Sequence, residues 1–194
     1  MTRRQLLPAV RMIVALTLLC GLVYPAAVLG VVQAAFPHQA DGSLARNASG
    51  QVVGSELIGQ PFSDARYFQP RPSVAGSGYD AQASAASNLG PSNPELWATV
   101  RQRVTAYRAQ NDLTPGTKVP ADAVTASASG LDPDISLTNA TIQAARVARA
   151  RHVPVGTVLR LVHQHEDGAM FGIFGVPGVN VLEVNLALDE RVAR

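Results

Sequence analysis

The stretch MIVALTLLCGLVYPAAVLGVVQAAF, from Met12 to Phe36, decides the architecture of this chain because it carries no charged residue. A helix of about twenty-one residues spans about 30 Å, which is the thickness of a bilayer's hydrocarbon core. The sequence therefore predicts one transmembrane helix over residues 12–36, close to the N-terminus.

The charges on either side of this stretch predict its orientation. Arg3, Arg4 and Arg11 precede it, whereas the first Lys or Arg that follows is Arg46. Positive residues remain preferentially on the cytoplasmic side of a membrane. We therefore expect residues 1–11 to be a cytoplasmic N-terminus and residues 37–194 to be an extracytoplasmic soluble domain.

Two other interpretations of the apolar stretch fit less well. A cleaved signal peptide normally has an apolar region of about 7–15 residues, and this one is longer. Val32-Gln33-Ala34 is the only passable cleavage site with small residues. A lipoprotein would be modified at Cys20, but Leu19 stands where a small residue is expected. A retained membrane anchor remains the main prediction.

Composition limits what the remaining chain can do. The sequence pI is about 9.0, but without the three arginines ahead of the span 13 basic and 14 acidic residues remain. The basicity is thus a signal for membrane topology, and no nucleic-acid partner is expected. The 158 residues after the span suffice for one compact domain. That domain has no cysteine, so burial alone must stabilise it.

Local patterns predict a single small α+β domain after the membrane helix. Asn93 and Ser136 are suitable N-caps for the first two helices, and apolar residues recur at helical spacing behind them. A long segment over residues 60–92 is rich in Pro, Gly, Ser and Ala, and its composition alone would suggest mobility. The predicted elements are a hairpin over 44–55, helices over 94–111, 136–152 and 154–165, a short strand near 123–127 and a strand over 179–185. In the second of these helices, Arg146, Arg149 and Arg151 are expected to lie nearer solvent.

Small residues recur along the predicted membrane helix. Ala26, Gly30 and Ala34 are four residues apart and would form one ridge, which lets a second helix approach closely. The alternative is that alanine and glycine are simply common in membrane helices. Pro25 lies near mid-span and is expected to kink the helix. The ridge is the first candidate partner interface.

The sequence contains few signals of catalysis. It lacks a GxxxxGK[ST] phosphate loop, the DKTG sequence of P-type pumps and a GxSxG nucleophile elbow. His163 and His165 are the best metal candidates, but residues two apart on a helix point away from each other. Asp132 and Asp134 could act as a carboxylate pair, although turn and capping bonds explain them better. We therefore expect no catalytic residue and no metal ligand.

Several longer motifs resemble successive blocks of one family, the C subunit of the Kdp potassium-transporting ATPase. The resemblance covers nearly the whole chain in order. The motifs are GSELIGQPF (54–62), YFQPRPS (67–73), SNLGPSNPEL (87–96), VPADAVTASASGLDPDIS (119–136), QAARVARAR (143–151) and VNVLEVN (179–185).

This resemblance implies a non-catalytic subunit of an ATP-driven potassium importer in the bacterial inner membrane. Its partners would be a channel-like potassium-translocating subunit, a P-type catalytic subunit and the lipid bilayer. ATP and potassium would be substrates of the complex, with no cofactor bound stably by this chain. The implied role is a catalytic chaperone that raises the pump's affinity for ATP. An outward domain could exert that effect only indirectly, through the membrane helices.

The resemblance also changes the expectation for residues 60–92. Specific sequences in a connection indicate a loop folded onto its own domain or onto a partner. We therefore expect an ordered loop, with a second candidate partner interface at Asn88, Leu89, Gly90 and Pro91.

Two rival functions remain open from the sequence. One is an extracytoplasmic enzyme with a signal anchor, using Asp132 and Asp134 or His163 and His165. The other is a periplasmic binding or assembly module for which the anchor is a tether. The small-residue ridge favours the pump subunit, since a tether needs no such face.

Overall fold

A computed structural model of the chain describes residues 3–169 and 172–192. The chain divides into two compact units, Met1–Leu44 and Ala45–Arg194. In the first unit, α1 (Arg3–Leu18), a π-helical turn (Leu19–Val23) and α2 (Tyr24–Ala35) follow one another without interruption. A short helix, α3 (Pro37–Ala40), comes next.

The long N-terminal helix satisfies the length and composition of a membrane span. From Arg4 to Ala35 it covers 32 residues, and its apolar window has no residue buried inside the chain. The helix therefore begins earlier than the predicted boundary at Met12. The preceding residues RRQLLPAVR lie in α1, with Pro8 inside the helix.

The π-helical turn lies immediately before Pro25. Tyr24 N–H donates to the carbonyl of Leu19, five residues back. A proline ring in a regular helix clashes with the carbonyl four residues earlier, and a π-turn is one known way to accommodate such a disturbance. The sequence thus located the irregularity, and the structure gives its form.

The second unit combines two small sheets with four helices. Strands β1 (Leu44–Arg46) and β2 (Val52–Ser55) form the predicted hairpin. Strands β3 (Asp134–Ile135), β4 (Glu166–Asp167) and β5 (Gly178–Asn180) form an antiparallel sheet in the order β3-β5-β4. The helices are α4 (Pro94–Gln110), α5 (Leu137–Arg151), α6 (Val155–Gln164) and α7 (Val181–Val192).

The core of this unit lies between helices α5, α6 and α7 and the three-stranded sheet. Its side chains are mostly small and branched, as expected from a sequence with few aromatic residues. The mixture of helix and sheet confirms the predicted secondary-structure class. The main buried residues are Phe68, Ile135, Ala140, Ala144, Val147, Val158, Leu161, Val162, Val179, Val184 and Leu188.

The predicted strand over residues 179–185 is wrong beyond its first two residues. Asn180 ends β5 and its Oδ1 accepts hydrogen bonds from the N–H groups of Leu182 and Glu183, at 3.1 and 3.2 Å. These bonds satisfy free donors at the start of α7, as an N-cap does. Val184 and Leu188 then recur at helical spacing on the buried side of α7.

The expected strand near residues 123–127 is also wrong. The chain there forms a 3-10 turn over Ala121–Ala123, followed by Val124 with only 5% of its surface exposed. Thr125 donates both its N–H and its hydroxyl to the carbonyl of Ala121, at 2.9 and 2.7 Å. These bonds replace the sheet pairing that a strand would need.

The expectation of an ordered loop over residues 60–92 is confirmed. Phe68 and Ala75 are fully buried although no strand or helix contains them. The Ser73 hydroxyl donates to the carbonyl of Gly130 at 2.6 Å, and the N–H of Ala85 donates to the carbonyl of Ser129 at 3.0 Å. The loop is therefore held against its own domain by packing and hydrogen bonds.

Asn93 is the N-cap of α4, as predicted. Its Oδ1 accepts a hydrogen bond from the N–H of Glu95 at 2.9 Å. We expect Asn93→Ala to lower the free energy of unfolding by about 1 kcal/mol, the usual effect of a lost cap. Urea denaturation of the full chain in mild detergent measures it. Ser92→Ala, one residue before the cap, is the control, and equal losses in both variants would contradict the assignment.

Candidate functional site

The small-residue ridge is exposed along α2. Ala26, Gly30 and Ala34 all lie within this one regular helix, after the π-helical turn, so their four-residue spacing places them on one face. A Cβ added at Gly30 would meet no atom within 4 Å. In the isolated chain the ridge is thus open, and it can accept a second helix at close approach.

The second candidate interface, which we term the Asn88 loop (Asn88–Pro91), belongs to the other unit. Three of its residues are exposed and Leu89 is half-buried. Trp97 Nε1 donates to the carbonyl of Pro91 at 2.7 Å, and the N–H of Asn93 donates to the carbonyl of Gly90 at 3.0 Å. The loop is therefore fixed to the start of α4 while its outer face stays accessible.

A groove lies beside the Asn88 loop. It encloses about 490 Å³ and is lined by Leu89 together with side chains of α4 and of the segment after the 3-10 turn. Val74, Leu96 and Ala126 give it an apolar wall, and Glu95 and Arg103 supply charges of opposite sign. Such a mixed, open surface is suited to contact with a protein rather than to enclosing a small substrate.

The two histidines considered as metal ligands have different partners. His163 Nδ1 is 3.5 Å from Glu166 Oε2, whereas His165 Nδ1 is 3.4 Å from Glu183 Oε2. Within residues 3–169 and 172–192, no three His, Cys, Asp or Glu side chains are arranged to hold a metal ion. The structure does not bring the two imidazoles together into a ligand set.

Asp132 makes the turn contacts that its sequence context suggests. Its Oδ2 accepts from Arg71 Nη1 at 2.6 Å, and its Oδ1 accepts from the N–H of Asp134 at 3.1 Å. Both carboxylate oxygens are thus engaged in binding neighbouring loops. This arrangement holds the Gly130–Pro133 turn against the segment that contains Arg71.

Asp134 lies in a different environment. Its Oδ1 is buried and has no hydrogen-bond partner among the described residues. Burial, together with the smaller effect of the negative charges of Asp132, Asp167 and Glu183, raises the pKa of Asp134 to about 6. Because no cation or donor compensates, this carboxylate is an electrostatic cost in the folded state rather than half of a catalytic pair.

This cost predicts a pH-dependent effect of Asp134→Asn. The pKa in the folded state lies above its ordinary value of 3.8, so the carboxyl favours folding when protonated, and this contribution is lost as pH rises from about 4 through about 6. The variant should gain about 1 kcal/mol at pH 7, after allowance for partial exposure, and almost nothing at pH 4. Urea denaturation at both pH values tests this, with Glu190→Gln, an exposed carboxylate that does not act on Asp134, as the control. Equal gains at both pH values would contradict it.

A buried polar network that the sequence did not reveal holds the YFQPRPS segment. Asn185 of α7 accepts from the N–H of Phe68 at 2.8 Å and donates to its carbonyl at 2.9 Å. Gln143 of α5 does the same for Gln69, at 2.8 and 3.0 Å. Two side-chain amides thus satisfy the backbone of an extended segment as neighbouring strands would.

Arg146 is the centre of this network. Its guanidinium donates to the carbonyls of Ala65 and Tyr67 at 2.6 and 3.0 Å, and to Gln143 Oε1 and Asn111 Oδ1 at 2.6 and 3.2 Å. The expectation that Arg146 faces solvent is wrong, since only 5% of its surface is exposed. Burial lowers the pKa of Arg146, yet arginine stays charged.

The network continues to α4 and to the start of α5. Tyr107 donates its hydroxyl to Asn139 Oδ1 at 2.7 Å, and Asn139 Nδ2 donates to Asp122 Oδ2 at 2.8 Å. Burial, with the negative charge of Asp122, raises the pKa of Tyr107, so its hydroxyl remains a donor. Asp122 also accepts from the N–H and the hydroxyl of the helix cap Ser136, at 2.9 Å each. Hydrogen bonds through Asn139 and Asp122 thus connect α4, the start of α5 and the 3-10 turn that contains Asp122.

Arg151 and Asp189 hold the side chain of Tyr67, the first residue of the YFQPRPS segment. Its Nη2 donates to Asp189 Oδ1 at 2.7 Å, and its guanidinium lies 5.0 Å from the ring centre of Tyr67. The Tyr67 hydroxyl donates to Asp189 Oδ2 at 2.8 Å. The exposed fraction of the Arg151 side chain is only 2%, so this residue also contradicts the expected solvent-facing position.

Comparison with known proteins adds independent information. A family model described as K+-transporting ATPase, c chain (KdpC), matches residues 6–190. The potassium-transporting ATPase KdpC subunit of Mycobacterium tuberculosis strain H37Rv is 56% identical over 187 residues, covering 96% of this chain and 98% of the relative. That of Caulobacter vibrioides strain CB15N is 56% identical over 175 residues, covering 90% and 87%. That of Beijerinckia indica is 53% identical over 184 residues, covering 95% and 92%.

Proposed function

We propose a role for this chain from the premise that it belongs to the KdpC family, the c chain of the K+-transporting ATPase, and is a subunit of that complex that is not itself catalytic. The proposed role is to raise the affinity of the P-type catalytic subunit for ATP and to support assembly of the complex. The partners we propose are that catalytic subunit and the channel-like potassium-translocating subunit. The membrane is that of a bacterial cell.

The open ridge on α2 is the observation that carries the assembly role. Ala26, Gly30 and Ala34 present no bulky side chain, and a Cβ at Gly30 would enter empty space. Helices in membranes associate through close packing of such small residues, since lipid supplies no hydrophobic drive between them. A ridge of this kind can bind a membrane helix of a larger subunit.

The Asn88 loop is a second proposed contact, on the domain. Its outer face is exposed, while hydrogen bonds from Trp97 and Asn93 fix its backbone. A fixed loop loses little conformational entropy on binding, which favours a protein contact. Substitutions on its outer face should therefore reduce transport without a matching loss of stability.

The proposed orientation places residues 1–11 in the cytoplasm and the domain outside. It is supported by Arg3, Arg4 and Arg11 ahead of the span, with no Lys or Arg after it until Arg46. ATP and potassium are then substrates of the complex, and the domain binds neither as a stable cofactor. An effect on ATP affinity must pass through the membrane helices.

A reporter fusion tests the orientation. Alkaline phosphatase fused after Arg194 should be active, because that enzyme matures only outside the cytoplasm, whereas a fluorescent protein that folds only in the cytoplasm should stay dark there. The control is the same pair of reporters on a variant with Arg3, Arg4 and Arg11 replaced by glutamine, which should weaken the preference. Activity of the cytoplasmic reporter alone would reverse the proposed topology.

The proposed role in ATP binding is tested with the purified complex. ATP hydrolysis is measured over a range of ATP concentrations, with the complex containing this chain and with one purified without it. The half-saturating ATP concentration should rise when the chain is absent and fall again when it is added back. An unchanged half-saturating concentration and unchanged subunit composition would together refute both parts of the proposal.

A further inference from the structure

An exposed apolar loop connects strands β4 and β5. We term residues Gly172–Pro177 the apolar loop; its large side chains are Ile173, Phe174 and Val176. Their exposed fractions are 78, 66 and 89%, the highest of any exposed large hydrophobic residue described after residue 44. Single exposed apolar residues are ordinary, but three together at the end of one hairpin mark a surface that contacts something apolar.

The local backbone explains how the loop presents these side chains. Gly172 and Gly175 have φ of 74° and 95°, in the region that favours glycine. The N–H of Gly172 donates to the carbonyl of Ala169 at 2.8 Å, which closes a turn at the start of the loop. Glycine at both positions thus permits the backbone of a loop in which Ile173, Phe174 and Val176 remain exposed.

The whole connection between β4 and β5, which contains the apolar loop, has no charged side chain. From Gly168 to Gly178 the sequence GAMFGIFGVPG has neither an ionisable nor an amide side chain. A protein interface normally surrounds its apolar centre with side chains that form hydrogen bonds, and this loop offers none. Transfer to the boundary between lipid headgroups and acyl chains requires only apolar side chains.

The short connection to α2 limits how far the domain can lie from a bilayer that holds this helix. Ten residue steps separate Ala35, where α2 ends, from Ala45, where the second unit begins, and an extended chain of that length reaches at most about 35 Å. A compact unit of 150 residues has a radius of gyration of about 15 Å. The membrane surface is therefore within reach of the domain, at a high effective concentration.

We propose that the apolar loop inserts Ile173, Phe174 and Val176 into the outer leaflet and so forms a second, shallow membrane contact. The insertion is limited to the loop, because the charged β4 residues Glu166 and Asp167 lie at its base. Irregular backbone is also excluded from the hydrocarbon centre. This inference does not depend on the role proposed for the chain in ATP binding, and its assignment to the outer leaflet rests on the proposed orientation.

The experiment uses the full chain with a single fluorescent label. Cys20 is the only native cysteine, so Cys20→Ser gives a background into which Phe174→Cys is introduced and labelled with the environment-sensitive dye NBD. The labelled chain is reconstituted in phosphatidylcholine vesicles with and without nitroxide-labelled lipids. We expect blue-shifted emission and a loss of intensity when the lipids carry the nitroxide, as for shallow interfacial insertion.

Two further labelled chains make the result decisive. Val176→Cys in the same background repeats the measurement at the most exposed loop residue, and guards against a local defect at residue 174. Lys118→Cys labels an exposed residue far from the loop in sequence, and should show neither effect. Blue-shifted emission without nitroxide quenching would indicate a protein contact and overturn the proposal. Emission at the loop that matches residue 118 would overturn it as well.

Discussion

Replacing Arg146 by methionine is expected to lower the free energy of unfolding of the domain by about 3 to 5 kcal/mol. The guanidinium donates to two backbone carbonyls and to two side-chain amides in the buried network. Methionine fills similar space but donates nothing, so these acceptors lose their partner away from water. Urea denaturation of the full chain in mild detergent, followed by circular dichroism, measures the loss.

Two substitutions on the same helix provide controls. Arg146→Lys keeps the charge but offers donors from only one nitrogen, so it should recover part of the stability. Arg149→Met removes an arginine whose side chain is 57% exposed, and should change stability by less than about 1 kcal/mol. A loss at Arg146→Met no larger than that at Arg149→Met would show that the network is dispensable.

Gly30→Leu is expected to weaken assembly with the larger subunits strongly while the domain stays folded. The leucine side chain would occupy the open space on the ridge and separate the two helix backbones that must approach each other. The recovery of partner subunits with an affinity-tagged chain should fall about tenfold or more. Co-purification from cells that express the whole complex measures it.

The matched control for Gly30→Leu adds bulk at the neighbouring residue. The control is Val31→Leu. Residue 31 lies about 100° around the helix from residue 30, on a face that already has the branched side chain of valine. This substitution should leave recovery unchanged, as should Leu19→Ala before the ridge. Normal recovery of the complex with Gly30→Leu would mean that the ridge faces lipid.

Sequence patterns predicted correctly the features that depend only on residues close together in the chain. Asn93 and Ser136 cap their helices as expected, because capping involves only residues two or three positions apart. The four-residue spacing of the small-residue ridge is also a local pattern, and its role as a partner interface stays a prediction. The segment VNVLEVN was wrongly predicted as a strand beyond Asn180 because over seven residues its apolar positions fit both a strand and a helix. The amide of Asn180 resolves the ambiguity by starting α7.

The buried network could not be predicted because its partners are distant in sequence and many are backbone groups. Arg146 reaches the carbonyls of Ala65 and Tyr67, about eighty residues away. Backbone carbonyls leave no trace in a sequence pattern, so an arginine among alanines was interpreted as a solvated residue. Helical spacing did contain a hint, since Gln143 and Arg146 lie three residues apart on the face shared with buried Val147.

The amides of Gln143 and Asn185 also limit which chemical damage and which substitutions this protein can tolerate. Each presents one donor and one acceptor to the donor and acceptor of a single residue, Gln69 or Phe68. Hydrolysis of either amide would leave a buried carboxylate oxygen facing a carbonyl oxygen, and the segment would lose its hold on that helix. Asn185→Asp, which changes one heavy atom, is therefore among the replacements we expect the chain to tolerate least, whereas the carboxylate of Gln143→Glu would still accept from the Arg146 guanidinium.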